Sequence, residues 1–184
     1  MWPWGHLALA YLLYSAFVRL RYRRRPTWPA VALVALGSQA PDLVDKPLAW
    51  TLNILPTGRS LGHSFLAGTL LVVVAVALLR RFELRGWPFA FGYYSHLVGD
   101  SIRPVLDGRF HDLAYLLWPF VELETGEGPS VGIIRYLLNA ELGGTVLLEL
   151  GLASAVFVWW LFDGAPGVRP VWQAIHRRSV GARE

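Results

Sequence analysis

The chain has 184 residues, of which 54% are hydrophobic and 16% are charged, and its mean hydropathy is +0.41. Soluble domains carry about 25% charged residues, so the composition excludes an ordinary soluble domain and is typical of an integral membrane protein. The isoelectric point of 9.8 would suit nucleic acid. However, the basic residues cluster at the ends of apolar segments, as topology signals do, so no nucleic-acid partner is expected.

The apolar segments predict an all-α fold, a polytopic membrane helix bundle with about five transmembrane helices plus short amphipathic helices. The predicted spans are residues 7–20, 28–44, 62–79, 87–106 and 143–162. Residues 41–45, PDLVD, are predicted to form a turn, and residues 48–61 a loop or short helix. The length allows one integral membrane domain, 1–184. It comprises a site-bearing region (residues 1–120), a surface segment (107–142), the last span (143–162) and a cytoplasmic tail (163–184).

The distribution of basic residues predicts the orientation of the chain. With the N-terminus outside, twelve Lys and Arg residues lie on the cytoplasmic side and five on the outer side. Cytoplasmic loops carry such an excess. We therefore expect a multi-pass protein of the cell (inner or plasma) membrane, in contact with the lipid bilayer and with its C-terminus in the cytoplasm. The sequence does not set the oligomeric state.

Five ionisable residues lie in or beside the predicted spans at similar heights. His96 and Asp100 are four residues apart and share one face of a helix. Counted from the cytoplasmic ends at a rise of 1.5 Å per residue, His6, Asp42 and Asp100 lie about 20 Å up and His63 about 25 Å up. His96 comes out about 6 Å lower, so if one member of the His96 and Asp100 pair supports the site without binding the metal, we expect it to be His96. The shared level predicts one site that opens toward the outer face.

The residue types at this level predict a metal centre. Because the chain has no cysteine, a metal must be held by imidazole and carboxylate, which suit a divalent transition metal: zinc first, with manganese or iron as alternatives. The expected metal ligands are His6, Asp42, His63, His96 and Asp100. The expected catalytic residues are Arg59, which would stabilise developing charge, Asp45, which would act as a general base or bind a second metal ion, and Glu149, which would act as a base or a supporting carboxylate. Ser60 and Ser64 are expected to hydrogen-bond the substrate.

Several of these residues also have a plainer structural interpretation. Asp42 and His63 stand where turns and helix caps are common. Asp45 could pair with Lys46 at the surface, and Glu149 could hydrogen-bond a neighbouring helix.

Four sequence elements in order resemble a known family. They are an early histidine, His6; APDLVD with Asp42; GRSLGHS with His63; and SHLVGD at residues 95–100. Over about residues 1–120 they resemble the LexA-binding, inner-membrane-associated metal-dependent hydrolase family, which is distantly similar to zinc-dependent phospholipase C. The resemblance implies His/Asp metal ligation and phosphoester substrates. Two positions depart from the family pattern: Asp45 is one residue later than the usual second acid, and Gly58 replaces a histidine.

Two functions remain open at this point. The first is a membrane-embedded metal-dependent hydrolase that acts on a phosphoester, which could be lipid-linked, through a metal-activated water. The alternative is a non-enzymatic membrane protein, such as a small metal or proton carrier or a partner-binding subunit. A carrier would be expected to show broken helices in repeated halves. The sequence shows no repeat, which favours the enzyme.

Overall fold

The computed structural model describes residues 1–123, 143–168 and 172, and within these ranges the chain is helical and has no strand. The long helices are α1 (Pro3–Tyr22), α2 (Trp28–Trp50), α3 (Phe65–Arg81), α4 (Trp87–Leu106) and α5 (Gly144–Phe162), and a 3₁₀ helix (Phe110–Leu117) follows α4. The all-α prediction is confirmed for these residues. Residues 124–142 of the predicted surface segment and residues 169–184 of the predicted tail, except residue 172, lie outside the described residues.

Local sequence signals account for the starts of four helices. A proline in the first turn begins α1, α2 and α4, where its missing N–H and fixed φ are tolerated. Helix α3 begins instead after Ser64, whose hydroxyl accepts a hydrogen bond from Ala67 N at 3.1 Å. The third span therefore starts three residues later than predicted, and His63 lies in the preceding loop.

Helix α2 does not stop at Pro41. It continues through Pro41 and Pro47 to Trp50, so the predicted PDLVD turn is wrong and residues 48–50, predicted as belonging to a loop or short helix, extend α2. A proline inside a helix removes one hydrogen bond and crowds the preceding turn, yet α2 continues through Pro41, which is fully buried. Because the helix continues, Asp42 and Asp45 lie three residues apart on one helical face.

Helices α2 and α4 run parallel and make the most extensive contact in the bundle. Gly37 of α2 lies against the backbone of Phe89, and Gly92 of α4 lies against the carbonyl oxygen of Val34. A Cβ atom at either glycine would clash with main-chain atoms. Glycine is therefore required at both positions for the two backbones to approach this closely.

The other three long helices run opposite to this pair. Helix α1 packs against α2, α4 and α5, and α3 packs against α4. Arginines in the last turns of α1 and α3 consequently lie at one end of the bundle: Arg19, Arg21, Arg80 and Arg81. The predicted metal ligands lie toward the opposite end.

A buried polar network joins α1 to the end of α5. Asp163 is 5% exposed. It accepts hydrogen bonds from Tyr11 Oη at 2.6 Å, Ser15 Oγ at 2.6 Å and Arg19 Nε at 2.9 Å. Hydrogen bonds to a charged group stabilise a fold more than neutral ones, so this network holds the C-terminal end of α5 against α1.

The outer surface of the bundle is apolar. Leu70, Leu78, Leu148 and Phe162 are each more than half exposed, and such a surface suits lipid better than water. Among the helices within the described ranges, only α5 meets both the length and the hydropathy expected of a membrane span, with a mean hydropathy of 1.9. The prediction of five spans therefore stays a prediction.

Candidate metal centre

The five residues predicted to bind a metal lie together at one end of the bundle. His6 comes from α1, Asp42 from α2, His63 from the loop before α3, and His96 and Asp100 from α4. All five side chains are buried. The structure thus brings together residues from four segments of the chain, and their binding of a metal stays a prediction.

Four ligand atoms in this cluster are arranged compactly. His63 Nε2 lies 3.1 Å from His96 Nε2, 3.5 Å from Asp42 Oδ1 and 3.6 Å from Asp100 Oδ2. His96 Nε2 lies 3.8 and 4.0 Å from the same two oxygens. Tetrahedral zinc with bonds of about 2.0–2.2 Å separates its ligands by about 3.3–3.6 Å, so the two histidine nitrogens together with either carboxylate oxygen lie near the spacing that one ion requires. The expectation that His96 lies apart from the others is wrong for its side chain.

The outer nitrogens of two histidines are held by hydrogen bonds. His63 Nδ1 lies 2.8 Å from Asp45 Oδ2, and His96 Nδ1 lies 2.7 Å from the Ser38 carbonyl oxygen. Because both partners are acceptors, each Nδ1 carries the proton and donates it. In the neutral form of each ring, Nε2 then carries the lone pair that a metal-binding histidine requires.

Asp45 holds the loop that carries His63. It is fully buried, and its carboxylate accepts hydrogen bonds from Ser60 N at 2.7 Å, Gly62 N at 2.7 Å and His63 N at 3.1 Å, in addition to the His63 ring. With both oxygens engaged in this way, Asp45 acts as a positioning residue in this geometry. Its predicted role as a catalytic base has no support from these contacts.

Replacement of Asp45 by alanine is expected to weaken zinc binding by about 10–100-fold, because His63 loses the carboxylate that orients it. Asp45→Asn keeps an acceptor for the loop amides, so its zinc affinity should lie between those of the wild type and Asp45→Ala. Competition for zinc with a chelator, on the purified full chain, measures both. Asp112→Ala removes an aspartate of the 3₁₀ helix and should leave the affinity unchanged. An affinity in Asp45→Ala equal to that of the wild type would contradict the positioning role.

Cations contact both candidate carboxylate ligands. Lys46 Nζ lies 2.5 Å from Asp42 Oδ2, so Lys46 pairs with this residue rather than with the adjacent aspartate. Arg59 Nε lies 3.0 Å from Asp100 Oδ2, and the Met1 nitrogen lies 2.6 Å from Asp100 Oδ1. The Arg59 side chain is 48% exposed. Positively charged groups therefore border the cluster and compensate the charges of Asp42 and Asp100.

His6 stacks on His96, with 3.6 Å between ring centroids and 10° between ring planes. Its Nε2 lies 3.2 Å from Asp100 Oδ1, yet neither ring nitrogen makes a hydrogen bond to the described residues. Buried polar groups are normally satisfied, so this imidazole fits a group that binds an ion. His6, His96 and Asp100 form one candidate ligand set, and Asp42, His63 and His96 form another that shares His96.

Three other predicted site residues have partners in the protein. Glu149 Oε2 accepts a hydrogen bond from Trp2 N, just before α1, at 2.8 Å. This contact agrees with the plainer interpretation of Glu149, a hydrogen bond to a neighbouring helix. Ser60 Oγ donates to a loop carbonyl oxygen at 3.0 Å. Ser64 Oγ caps α3 and donates to the Trp118 carbonyl oxygen at 2.5 Å. Their catalytic and substrate-binding roles stay predictions.

Tyr115 borders the cluster and was not identified from the sequence. Its ring centroid lies 6.0 Å from that of His63 and 5.9 Å from Arg59 Cζ, and its hydroxyl oxygen lies 3.3 Å from Ser101 Oγ. Burial raises the pKa of Tyr115 above its ordinary value, so the hydroxyl stays protonated. The aromatic YLLWP segment at residues 115–119 is the sequence signal that could have pointed to it.

A comparison with known protein families adds to the evidence for membrane association that the apolar surface provides. The model of the YdjM inner membrane protein family matches residues 1–166. The chain belongs to the YdjM inner membrane protein family. Association with the lipid bilayer is thereby confirmed. The match also supports the resemblance to an inner-membrane family that the sequence elements indicated. It gives no support to the distant similarity with zinc-dependent phospholipase C. No curated protein and no solved structure matches the chain.

Proposed function

We propose that this YdjM-family protein is a membrane-embedded, metal-dependent hydrolase that acts on a phosphoester. The observation that carries the proposal is the buried set of ligand atoms from His63, His96, Asp42 and Asp100, separated by 3.1–4.0 Å in five pairs. Ionisable groups buried in a membrane protein normally pair or bind ions. Imidazole with carboxylate is a donor set found in zinc hydrolases.

Zinc is the metal proposed first, with manganese and iron as alternatives, because two nitrogen and two oxygen donors in a compact set suit tetrahedral coordination. Bound there, the ion would supply Lewis-acid activation of a water molecule and of a phosphoryl oxygen. The protein contributes the orientation of the ligands, since Asp45 and the Ser38 carbonyl fix the rings of His63 and His96.

Arg59 is proposed to bind the phosphoester oxygens. A guanidinium group matches phosphate through parallel N–H donors. The contact of Arg59 Nε with Asp100 orients the group beside the candidate ligands, and its half-exposed side chain can meet a substrate. Lys46 supplies a second cation on the opposite carboxylate. The paired cations favour an anionic substrate over a neutral one.

Helix packing gives less support to the alternative of a metal or proton carrier. A carrier needs a polar path to the other side of the membrane. Toward the arginine end of the bundle, Gly37 and Gly92 bring α2 and α4 into backbone contact, and Tyr14, Val18 and Val34 form a buried apolar cluster. Within the described ranges of the chain, the candidate metal-binding groups all lie at the opposite end.

The proposal includes a multi-pass topology with the N-terminus outside and the site opening toward the outer face. The antiparallel order of the helices supports it, because the arginines at the ends of α1 and α3 lie at the end of the bundle away from the site. Positive residues of this kind mark the cytoplasmic side.

A hydrolysis assay tests the proposed activity. Zinc-loaded full-length protein is expected to release p-nitrophenolate from bis(p-nitrophenyl) phosphate, and Asp42→Ala is expected to reduce this release to background because the ion loses a carboxylate ligand. The matched control Asp112→Ala removes a carboxylate outside the cluster and should retain the activity. Zinc content is measured on the same samples. A zinc-bound wild type that hydrolyses neither this diester nor a p-nitrophenyl phosphomonoester would overturn the hydrolase, and a folded wild type without zinc would overturn the zinc site.

A further inference from the structure

An apolar groove of about 640 Å³ runs along α4 beside the candidate metal centre. We call it the α3–α4 groove, and its walls include Phe65 of α3, Leu97, Val98, Ser101 and Ile102 of α4, and Leu116 of the 3₁₀ helix. Its volume lies within the range of about 300–1,000 Å³ typical of small-molecule sites. Because Ser101 is the one small polar side chain among these six, the walls select an apolar ligand.

The groove and the metal centre share a wall. Leu97 and Ser101 directly follow His96 and Asp100 on α4, so the groove and the site occupy neighbouring faces of one helix, about 100° apart. The wall between them includes Ser101 and Tyr115, whose hydroxyl oxygens lie 3.3 Å apart. A molecule with a polar head in the site and an apolar tail in the groove would cross this wall at Ser101 and Tyr115.

We infer that the α3–α4 groove holds a hydrocarbon chain of a membrane phospholipid whose phosphate group lies at Arg59. The inference rests on the proposed function and specifies its substrate class. Arg59 lies on the site side of the shared wall, with Cζ 5.9 Å from the Tyr115 ring centroid, and its positive charge complements a phosphate. The protein belongs to an inner membrane family, so phospholipid is the solvent that surrounds the groove.

The groove extends along α4 on both sides of the level of Arg59. Its walls run from Tyr94 to Leu106, six residues to either side of Asp100, which pairs with Arg59, and six residues at a rise of 1.5 Å per residue span about 9 Å. A chain whose phosphate lies at Arg59 therefore follows the groove for about 9 Å of the roughly 15 Å that one leaflet of a hydrocarbon core about 30 Å thick contributes. Val98 and Ile102 are 53% and 41% exposed, so the open side of the groove faces the surroundings and a chain can enter from the membrane.

Photolabelling tests this inference without depending on catalysis. The full-length protein is reconstituted in vesicles of phosphatidylethanolamine and phosphatidylglycerol that contain a phosphatidylglycerol with a diazirine in one acyl chain. After irradiation, mass spectrometry locates the label, which is expected at groove residues in excess of other lipid-facing positions. Val98→Trp fills the groove and should reduce this labelling about tenfold, the effect expected of overpacking by one bulky side chain.

Matched measurements separate the possible outcomes. Val158→Trp makes the same change at a residue of α5 that is 50% exposed and lies outside the groove, and it should leave groove labelling at the wild-type level. A circular dichroism spectrum and a gel-filtration profile equal to those of the wild type show that Val98→Trp is folded. Even labelling of α4 and α5, or undiminished labelling in folded Val98→Trp, would overturn the inference. Groove labelling in a protein that hydrolyses nothing would retain the lipid site and reject only the hydrolase.

Discussion

Replacement of His96 by alanine is expected to remove most of the bound zinc. His96 is the residue common to both candidate ligand sets, and its Nε2 lies within 4.0 Å of His63 Nε2 and of both carboxylates. The wild type should carry about one zinc ion per chain. The variant should carry less than about a tenth of that, because even the loss of a residue that only supports a ligand changes affinity by about 10–100-fold. Elemental analysis of protein purified in detergent gives the stoichiometry.

His111 provides the control for this experiment. Its side chain is 81% exposed on the 3₁₀ helix and contacts Asp112 rather than the cluster, so His111→Ala should keep the zinc content of the wild type. Circular dichroism and gel filtration confirm that both variants are folded. Full zinc content in folded His96→Ala would refute the assignment of this histidine.

Replacement of Arg59 by alanine is expected to lower kcat/KM for the phosphodiester by about 10²–10³-fold, the usual effect of removing one donor that stabilises developing charge. Arg59 contacts a candidate ligand through Nε, but it supplies no ligand atom itself, so zinc content should stay at the wild-type level. Arg59→Lys keeps the charge without the planar pair of donors and should recover only a fraction of the activity.

Arg109 is the matched control, since it pairs with Asp107 and Asp112 away from the cluster. Arg109→Ala should retain full activity with the same substrate and the same zinc loading. If Arg59→Ala hydrolysed the diester as fast as the wild type, Arg59 would have no role in binding the phosphate. If it lost zinc as well as activity, its role would be to hold Asp100 in place.

The sequence predicted those features that depend on local signals and on constant helix geometry. The predicted span 87–106 coincides with α4, because a Trp-Pro start and a polar end mark it clearly. The gathering of His6, Asp42, His63 and Asp100 followed from counting residues along each helix, since the rise per residue is constant.

The same reasoning failed where side chains or tertiary packing decide the outcome. The height of His96 was calculated for its backbone, whereas the long imidazole brings Nε2 to within 3.1 Å of its partner on His63. Pro41 was interpreted as a helix end, whereas α2 continues through this buried proline to Trp50. Because of this error, the sequence did not predict that Asp45 shares a helical face with Asp42 and accepts hydrogen bonds from the loop that carries His63.

Contacts between distant residues could not be predicted from one sequence. The carbonyl oxygen that orients His96 belongs to Ser38, 58 residues away, and Asp163 binds Ser15 across 148 residues. Neither pair has a spacing or a motif that marks it, because each depends on how two helices pack. Tyr115 is a similar case, since the contact of its ring with Arg59 depends on where the 3₁₀ helix packs.

The attachment of α5 to α1 has a consequence for biosynthesis. Helix α1 carries His6 and is synthesised first, whereas α5, which holds α1 through Glu149 at one end and Asp163 at the other, is the last of the described helices to leave the ribosome. A nascent chain therefore contains all five candidate ligands long before the helix that fixes the first of them has been made. The buried carboxylates Glu149 and Asp163 therefore find their partners in the N-terminal part of the chain only after translation has passed α5.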